Sequence, residues 1–288
     1  MPSTIVRRLL CAALALATGL AQSQPKPDAP PKFDVASIKL CTGPGSPAPL
    51  RPSPGRLHLT CWPVRRLIQE AYDLFADVKV NPLNPVFTLV PVEGPDWIDS
   101  ARYLIDAKTE GPQSQAMMRG PMMRTLLEDR FHLKVHRETR QVPVFAMSVA
   151  KGGLKLQHTK EGSCAPFDPL DQTQSPNRAP GEKPWCVMSR PIRNGSHFVF
   201  DARGMSLDMF AKLLGGLDRP VIDRTGIAGA FDIHVEFAPG ADAGEPEAPA
   251  SGVSITTALR QQLGLRLDPA IGPREFLVID SMQRPSEN

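Results

Sequence analysis

Several things that would announce an activity are missing from this sequence. No GxSxG elbow, Walker loop, HExxH motif or GxGxxG following a strand occurs in its 288 residues, so the compact signatures of serine hydrolases, nucleotide and dinucleotide binders and zinc peptidases are absent. Charge of one sign is also lacking. The formal net charge is +3, and a dedicated nucleic-acid binder usually concentrates basic residues on one face. The apolar run in the first residues is too short to cross a bilayer, which takes roughly 20 residues, and no other segment is apolar enough. None of the five cysteines has CxxC spacing, which argues against zinc.

The first residues, "MPSTIVRRLLCAALALATGLAQSQ", have the layout of a secretory signal peptide. Arg7 and Arg8 precede an apolar stretch from Leu9 to Leu20, and Gly19 and Ala21 suit the −3 and −1 positions of a cut before Gln22. Residues 1–21 are therefore expected to be removed, taking Arg7, Arg8 and Cys11 with them, and the mature chain is expected to be periplasmic or extracellular with no membrane span. It would keep Cys41, Cys61, Cys164 and Cys186, an even number suited to an oxidising compartment. Three connectivities are open. The near-neighbour one, Cys41–Cys61 with Cys164–Cys186, would close two loops of about 20 residues, each stabilising by roughly 3 kcal/mol in the loop-entropy view.

Along the chain, 22–32 reads as a flexible proline-rich lead-in. "FDVASIKL" and "RLHLTC" read as strands, "PVRRLIQEAYDLF" as a helix with Pro63 in its first turn, and "RYLIDAKTE" as a strand. "QAMMRGPMMRTLLEDRF" is helical, and "HLKVHRETRQVPVFAMSVAKGG" reads as two strands around a polar turn. Residues 158–196 lose periodicity and are expected to be a disulfide-pinned loop or linker. Then come "HFVFDARG", the helix "MSLDMFAKLLGGL", "RPVIDRTGIAGAFDIHVEF", the helix "SITTALRQQLGL" and a last strand, "EFLVIDSMQ".

The two halves share a pattern, and repeats dictate folds. "PVRRLIQEAY" parallels "MSLDMFAKLL", "ARYLIDAKTE" parallels "GAFDIHVEFA", "MMRTLLEDRFHLKV" parallels "ITTALRQQLGLRLD", and "VFAM" parallels "FLVI". This predicts an α+β protein made of two small strand-helix-strand-helix-strand units, 33–157 and 197–288, with helices packed on small sheets. In "RPVIDRTGIAGAFDIHVEF", "PVID" and "AFDIHVEF" are then strands and "RTGIAG" their connection. Phe231, Ile233, Val235 and Phe237 point inward and Asp232, His234 and Glu236 outward. Arg224 separates Asp223 from Thr225, which spoils an aspartic-protease motif and leaves Asp223 as a turn-capping side chain.

The segments "FDVASIKL", "GPDWIDSARYLIDAKTEG", "MMRTLLEDRFHLKVHRETRQVPVFAMSVAKGGLKL", "PVIDRTGIAGAFDIHVEF" and "GPREFLVIDSMQRPSEN" closely resemble a soil-associated bacterial family of exported proteins with no assigned function. In some relatives a similar module is attached to membrane metallopeptidases of the beta-lactam-sensor type. The resemblance implies a sensing or interaction role and supplies no catalytic residues. A weaker resemblance, in the helix, strand-pair, helix–GL–strand rhythm, is to the short N-terminal domains of secretins and TonB-dependent receptors, which bind envelope proteins.

The densest charge cluster is "EDRFHLKVHRETR", where Arg130, Lys134, His136, Arg137, Glu138 and Arg140 could form a polar face for an anionic or peptide ligand. The plainer reading is a solvated helix end and strand. His132 and His136, four apart on a strand, would lie about 13 Å apart, too far for one metal. No catalytic, cofactor-binding or metal-ligating set emerges, and no cofactor is expected. The expectation is an exported, non-enzymatic module that binds a cell-envelope protein or peptide and no nucleic acid. The alternatives are a secreted hydrolase with a site assembled from distant segments, or a ligand-sensing partner of a membrane peptidase.

Overall fold

The computed structural model of the chain describes residues 30–42, 53–76, 89–167, 178–186, 192–194, 197–215, 219–238 and 252–286. The expected signal peptide (1–21), residues 22–29 of the lead-in and parts of 158–196 lie outside the described residues.

The protein is α+β, with strands β1 (Val35–Leu40), β2 (Arg56–Pro63), β3 (Val92–Glu93), β4 (Arg102–Lys108), β5 (Lys134–Val149), β6 (Gln157–His158), β7 (Ile192–Asn194), β8 (His197–Met205), β9 (Val221–Asp223), β10 (Phe231–Phe237) and β11 (Leu265–Ser281). They form three sheets, ordered β1-β4-β2, β6-β10-β8-β7 and β3-β11-β5-β9. The helices are α1 (Val64–Gln69), α2 (Trp97–Ser100), α3 (Gln115–Met117), α4 (Met123–Phe131), α5 (Leu207–Leu214) and α6 (Ile255–Ala258). Three of them carry a wider π-helical turn: Glu70–Leu74 follows α1, Met118–Met122 joins α3 to α4, and Leu259–Leu263 follows α6.

Alternation places the core. In β4, Tyr103, Ile105 and Ala107 are buried, and in β10 Phe231, Ile233, Val235 and Phe237 are buried, as their spacing predicts. Two apolar clusters result. One gathers Leu57, Leu59, Leu67, Ile68, Ile105, Leu127 and Phe131 under the first sheet, and the other Phe200, Phe210, Phe231, Ile233, Leu259 and Leu263 under the second. Each cluster also borrows from the opposite end of the chain: Leu277 is part of the first, and Met147 of the second.

The borrowing is done by a ribbon. β5 and β11, of 16 and 17 residues, pair antiparallel from Leu265↔Val149 to Ser281↔Lys134. β9 adds parallel to β5 at Phe145↔Val221, and β3 adds parallel to β11 at Leu277↔Val92. Phe145 and Leu277 are the equivalent positions of the "VFAM"/"FLVI" alignment, so the two additions obey one register rule.

Here the structure differs from three expectations. "HLKVHRETRQVPVFAMSV" is one strand from Lys134 rather than two around a polar turn. β11 begins at Leu265, well before "EFLVIDSMQ", and runs through Pro269 and Pro273. The reason is pairing: each strand supplies the other with a continuous ladder that neither sequence pattern reveals alone. The prolines are tolerated because Leu277 sends its N–H outward to Pro91 and Phe145 sends its N–H outward to Pro220. Pro269 and Pro273 share parity with Leu277, and Pro143 with Phe145. Their missing donors therefore fall on the ribbon's outer edges. Third, "PVID" and "AFDIHVEF" are both strands, but β9 and β10 lie in different sheets, so the connection is a crossover between layers. Asp223 does cap its turn, accepting from the backbone N–H (2.8 Å) and hydroxyl (2.7 Å) of Thr225.

Pro63 closes β2 and precedes α1 with extended backbone (ψ 144°) instead of standing in the first helical turn. Both near-neighbour disulfides are present, Cys41–Cys61 and Cys164–Cys186, with Cα separations of 5.8 and 5.1 Å. Among the described residues no helix is long and apolar enough to cross a membrane.

Candidate functional site

Residues of even number on β5 and β11 share one ribbon face, opposite the side from which Leu277 and Met147 enter the two cores. Along mid-ribbon this face is half-buried, with Val144 and Gly272 buried, while the odd-numbered Thr139, Gln141, Ile271 and Pro273 are exposed. On the even-numbered face Arg140 stands directly opposite Arg274, and Glu138 opposite Phe276. Both guanidinium groups lie over the Phe276 ring, with the carbon of Arg140 at 5.0 Å and that of Arg274 at 5.7 Å from its centroid. Arg140 is held by Glu93 of β3 and by Glu138, each at 2.6 Å. These two partners raise its pKa, and Arg140 in turn holds the Glu138 carboxyl below its ordinary range. Arg274 makes no hydrogen bond or ion pair among the described residues, and partial burial pushes its pKa down. Farther along, His136 Nδ1 meets Asp280 Oδ1 at 2.8 Å.

The charge cluster seen in the sequence is thus divided. His136, Glu138 and Arg140 share the even-numbered face, and Lys134 is exposed at the end of the ribbon. Arg137 lies on the other face, donating to the Tyr72 carbonyl and pairing with Glu275. Arg130 points away to the Ala36 carbonyl of the edge strand β1 (3.4 Å). His132 is no strand residue: it ends α4 in left-handed conformation (φ 50°). Phe276, Arg274, Glu93 and Asp280 complete the face and were not picked out from sequence. No local pattern marks them, because the β5–β11 pairing that brings them together joins segments more than a hundred residues apart.

A second polar assembly is interior. Glu70 is 1% exposed. It accepts from Arg66 (3.2 Å) and from Arg119 (2.9 Å to Nε). Arg119 lies over both Trp62 and Phe75. Glu70 and Arg119 come from the π-helical turns Glu70–Leu74 and Met118–Met122. These turns approach so closely that a Cβ on Gly120 would stand 2.1 Å from the Phe75 carbonyl oxygen. Next to it, Tyr72 donates to Glu128 (2.7 Å), and burial with that carboxylate pushes the phenol pKa up. The Asp73 carboxyl is also raised by burial, although it accepts the Val90 N–H (2.8 Å). Every member of the Glu70 group is turned toward the others, so the assembly is a brace between helices.

Among the described residues, one nucleophile–base–acid line is approached on the outer face of the first sheet. Thr60 Oγ1 is 3.3 Å from His58 Nε2, and His58 Nδ1 is 3.6 Å from Asp106, its cross-strand partner. Asp106 is gripped by Arg56 (2.6 and 3.1 Å), which lowers its pKa. Beside it β2 bulges at Thr60–Cys61, and Cys61 takes φ 54°. The second length is too long for a hydrogen bond. Among the described residues no group of three His, Cys, Asp or Glu is placed to hold a metal ion.

A family model described as "Protein of unknown function (DUF3738)" matches residues 65–282, which takes in the ribbon, the second apolar cluster and the part of the first that follows Val64. The chain belongs to the DUF3738 family. No curated protein and no solved structure matches it. The DUF3738 match includes the whole Arg140–Phe276–Arg274 face and the Glu70–Arg119 brace, while β1 and the Thr60–His58 pair precede its start.

Proposed function

We propose that this DUF3738 chain is an exported, non-enzymatic binding or interaction module of the cell envelope or extracellular space, made of two related units, 33–157 and 197–288, joined by 158–196. The observation that carries the reading is the even-numbered face of the ribbon. It presents the half-buried Arg140, Arg274 and Phe276 together on the long β5–β11 pair, and aromatic and arginine side chains are the usual anchors of binding surfaces. The signal-peptide layout and the two disulfides support export. The common register of β3 on β11 and β9 on β5 supports two related units. The partner we propose is an envelope protein or peptide.

The test is cross-linked affinity purification of the tagged, exported protein from cells, comparing wild type with Arg140→Ala/Arg274→Ala and with a control, Lys212→Ala, on α5. A near-stoichiometric partner retained by the control and lost from the ribbon variant supports the module. Equal recovery with all three removes the ribbon from the reading.

A second reading, a secreted hydrolase, rests on Thr60, His58 and Asp106. Hydrolysis of 4-nitrophenyl acetate above background that falls in Thr60→Ala and His58→Ala would favour it. A rate unchanged by both substitutions would end it.

A further inference from the structure

An arginine directly opposite another arginine is an unfavourable cross-strand pair. Arg140 escapes the cost because Glu93 and Glu138 neutralise it. Arg274 does not. Its guanidinium is partly buried, rests on Phe276, and has no counter-charge among the described residues. A partly buried cation left unpaired calls for an anion from outside the chain.

The surroundings restrict what that anion is attached to. Beyond Arg274 on the same face come Val142 opposite Gly272, then Val144 opposite Ala270, with Ile222 of β9 alongside. Ile222 leans toward Gly272, where a Cβ would stand 3.0 Å from both Ile222 Cδ1 and Val144 Cγ2. Val142, Ile222 and Ala270 are half-buried, and Val144 and Gly272 on the same stretch are buried. The face therefore changes from charged to apolar within one residue pair. On the charged side, Glu93 and Glu138 flank Arg140 and repel a ligand that extends toward them. A ligand with its anionic end at Arg274 has its favourable course over the apolar side. Strand addition along the ribbon's outer edges is opposed by Pro143, Pro269 and Pro273, which lack donors there.

We propose that the ribbon face binds a small aliphatic carboxylate, its carboxylate on Arg274 beside Phe276 and its chain over Val142 and Ile222. This deepens the binding-module reading and rests on it. Planar bidentate pairing with carboxylate is what a guanidinium does better than an ammonium.

The experiment is titration of the purified full chain with octanoate below its micellar concentration, followed by calorimetry and by amide shifts on β5 and β11. Octanol and octylamine serve as comparison ligands. The expected result is saturable octanoate binding with shifts centred on Val142, Gly272 and Arg274, at least tenfold tighter than octanol, and no binding of octylamine. Arg274→Met should weaken it by about tenfold or more and Arg274→Lys by less, since a hydrogen bond between charged groups is lost or weakened. Unchanged melting temperatures would show both variants folded. Three results would overturn the proposal: octanol binding as well as octanoate, Arg274→Met binding as well as wild type, or binding only of a peptide ending in an aliphatic residue. If octanoate fails while the ribbon variant still loses its envelope partner, the ligand class is wrong and the module reading stands.

Discussion

At the scale of single residues, the strongest constraint is Glu70. A carboxylate that is 1% exposed between Arg66 and Arg119 is costly to bury and costlier to orphan. Removing one partner of a buried pair leaves an uncompensated charge worth about 3–5 kcal/mol. Glu70→Ala is expected to lose stability in that range, measured by urea denaturation, and Glu70→Gln less because the amide oxygen still accepts. Gly120→Ala should also destabilise, by about 1–3 kcal/mol, since its methyl meets the Phe75 carbonyl. None of this is legible in "VRRLIQEAY", where helical periodicity marks Val64, Leu67 and Ile68 and treats Glu70 as surface. The π-helical turn rotates it inward, and Arg119, remote in sequence, completes the pair.

Two surface carboxylates add to the acid sensitivity. Asp99 is lowered by Arg65 and Asp106 by Arg56. A depressed folded pKa contributes stability above the unfolded value of about 3.9, and that contribution is lost as pH falls through the folded value. Thermal melts from pH 7 downward should therefore be flat in this respect until about pH 4 and then decline. Asp106→Asn should show a shallower decline, and an identical pH profile for that variant would contradict the assignment.

At the scale of elements, the ribbon shows what pairing adds. Pro143, Pro269 and Pro273 look like strand breakers, and "RLDPAIGPR" reads as a connection. They serve as edge guards because all three point their donorless nitrogens outward. Pro273→Val is expected to fold with little change in stability and to self-associate more readily, read by light scattering as a concentration-dependent mass increase. A monodisperse variant at high concentration would count against this role. The amphipathic strands β4 and β10 and the helix α5, by contrast, were readable, since each buries one face against one neighbour and shows the matching period.

At the scale of the whole molecule, the two apolar clusters depend on each other's strands. Leu277 lies in the first cluster and Met147 in the second, so neither core is complete without the far part of the chain. Leu277→Ala should cost about 2–5 kcal/mol. Hydrogen exchange should show reduced protection in β4 and α4, remote from it in sequence, as well as along the ribbon. If only β11 loses protection, the cores are less coupled than the packing implies.

The sequence by itself determined the α+β class, the near-neighbour cysteine spacing that both disulfides use, the inward faces of β4 and β10, and the capping role of Asp223. All of these depend on interactions within a short stretch or on a period of two or 3.6 residues. Tertiary structure decided the rest. It merged the broken-looking "HLKVHRETRQVPVFAMSV" and "LRLDPAIGPREFLVIDS" into one ribbon, because a ladder is satisfied by the opposite strand and not by local pattern. It placed Arg140, Arg274 and Phe276 on one face and sent Arg130 and Arg137 elsewhere. The side of a strand or helix end from which a charge projects is set by what packs against it, and those partners lie far away in the chain.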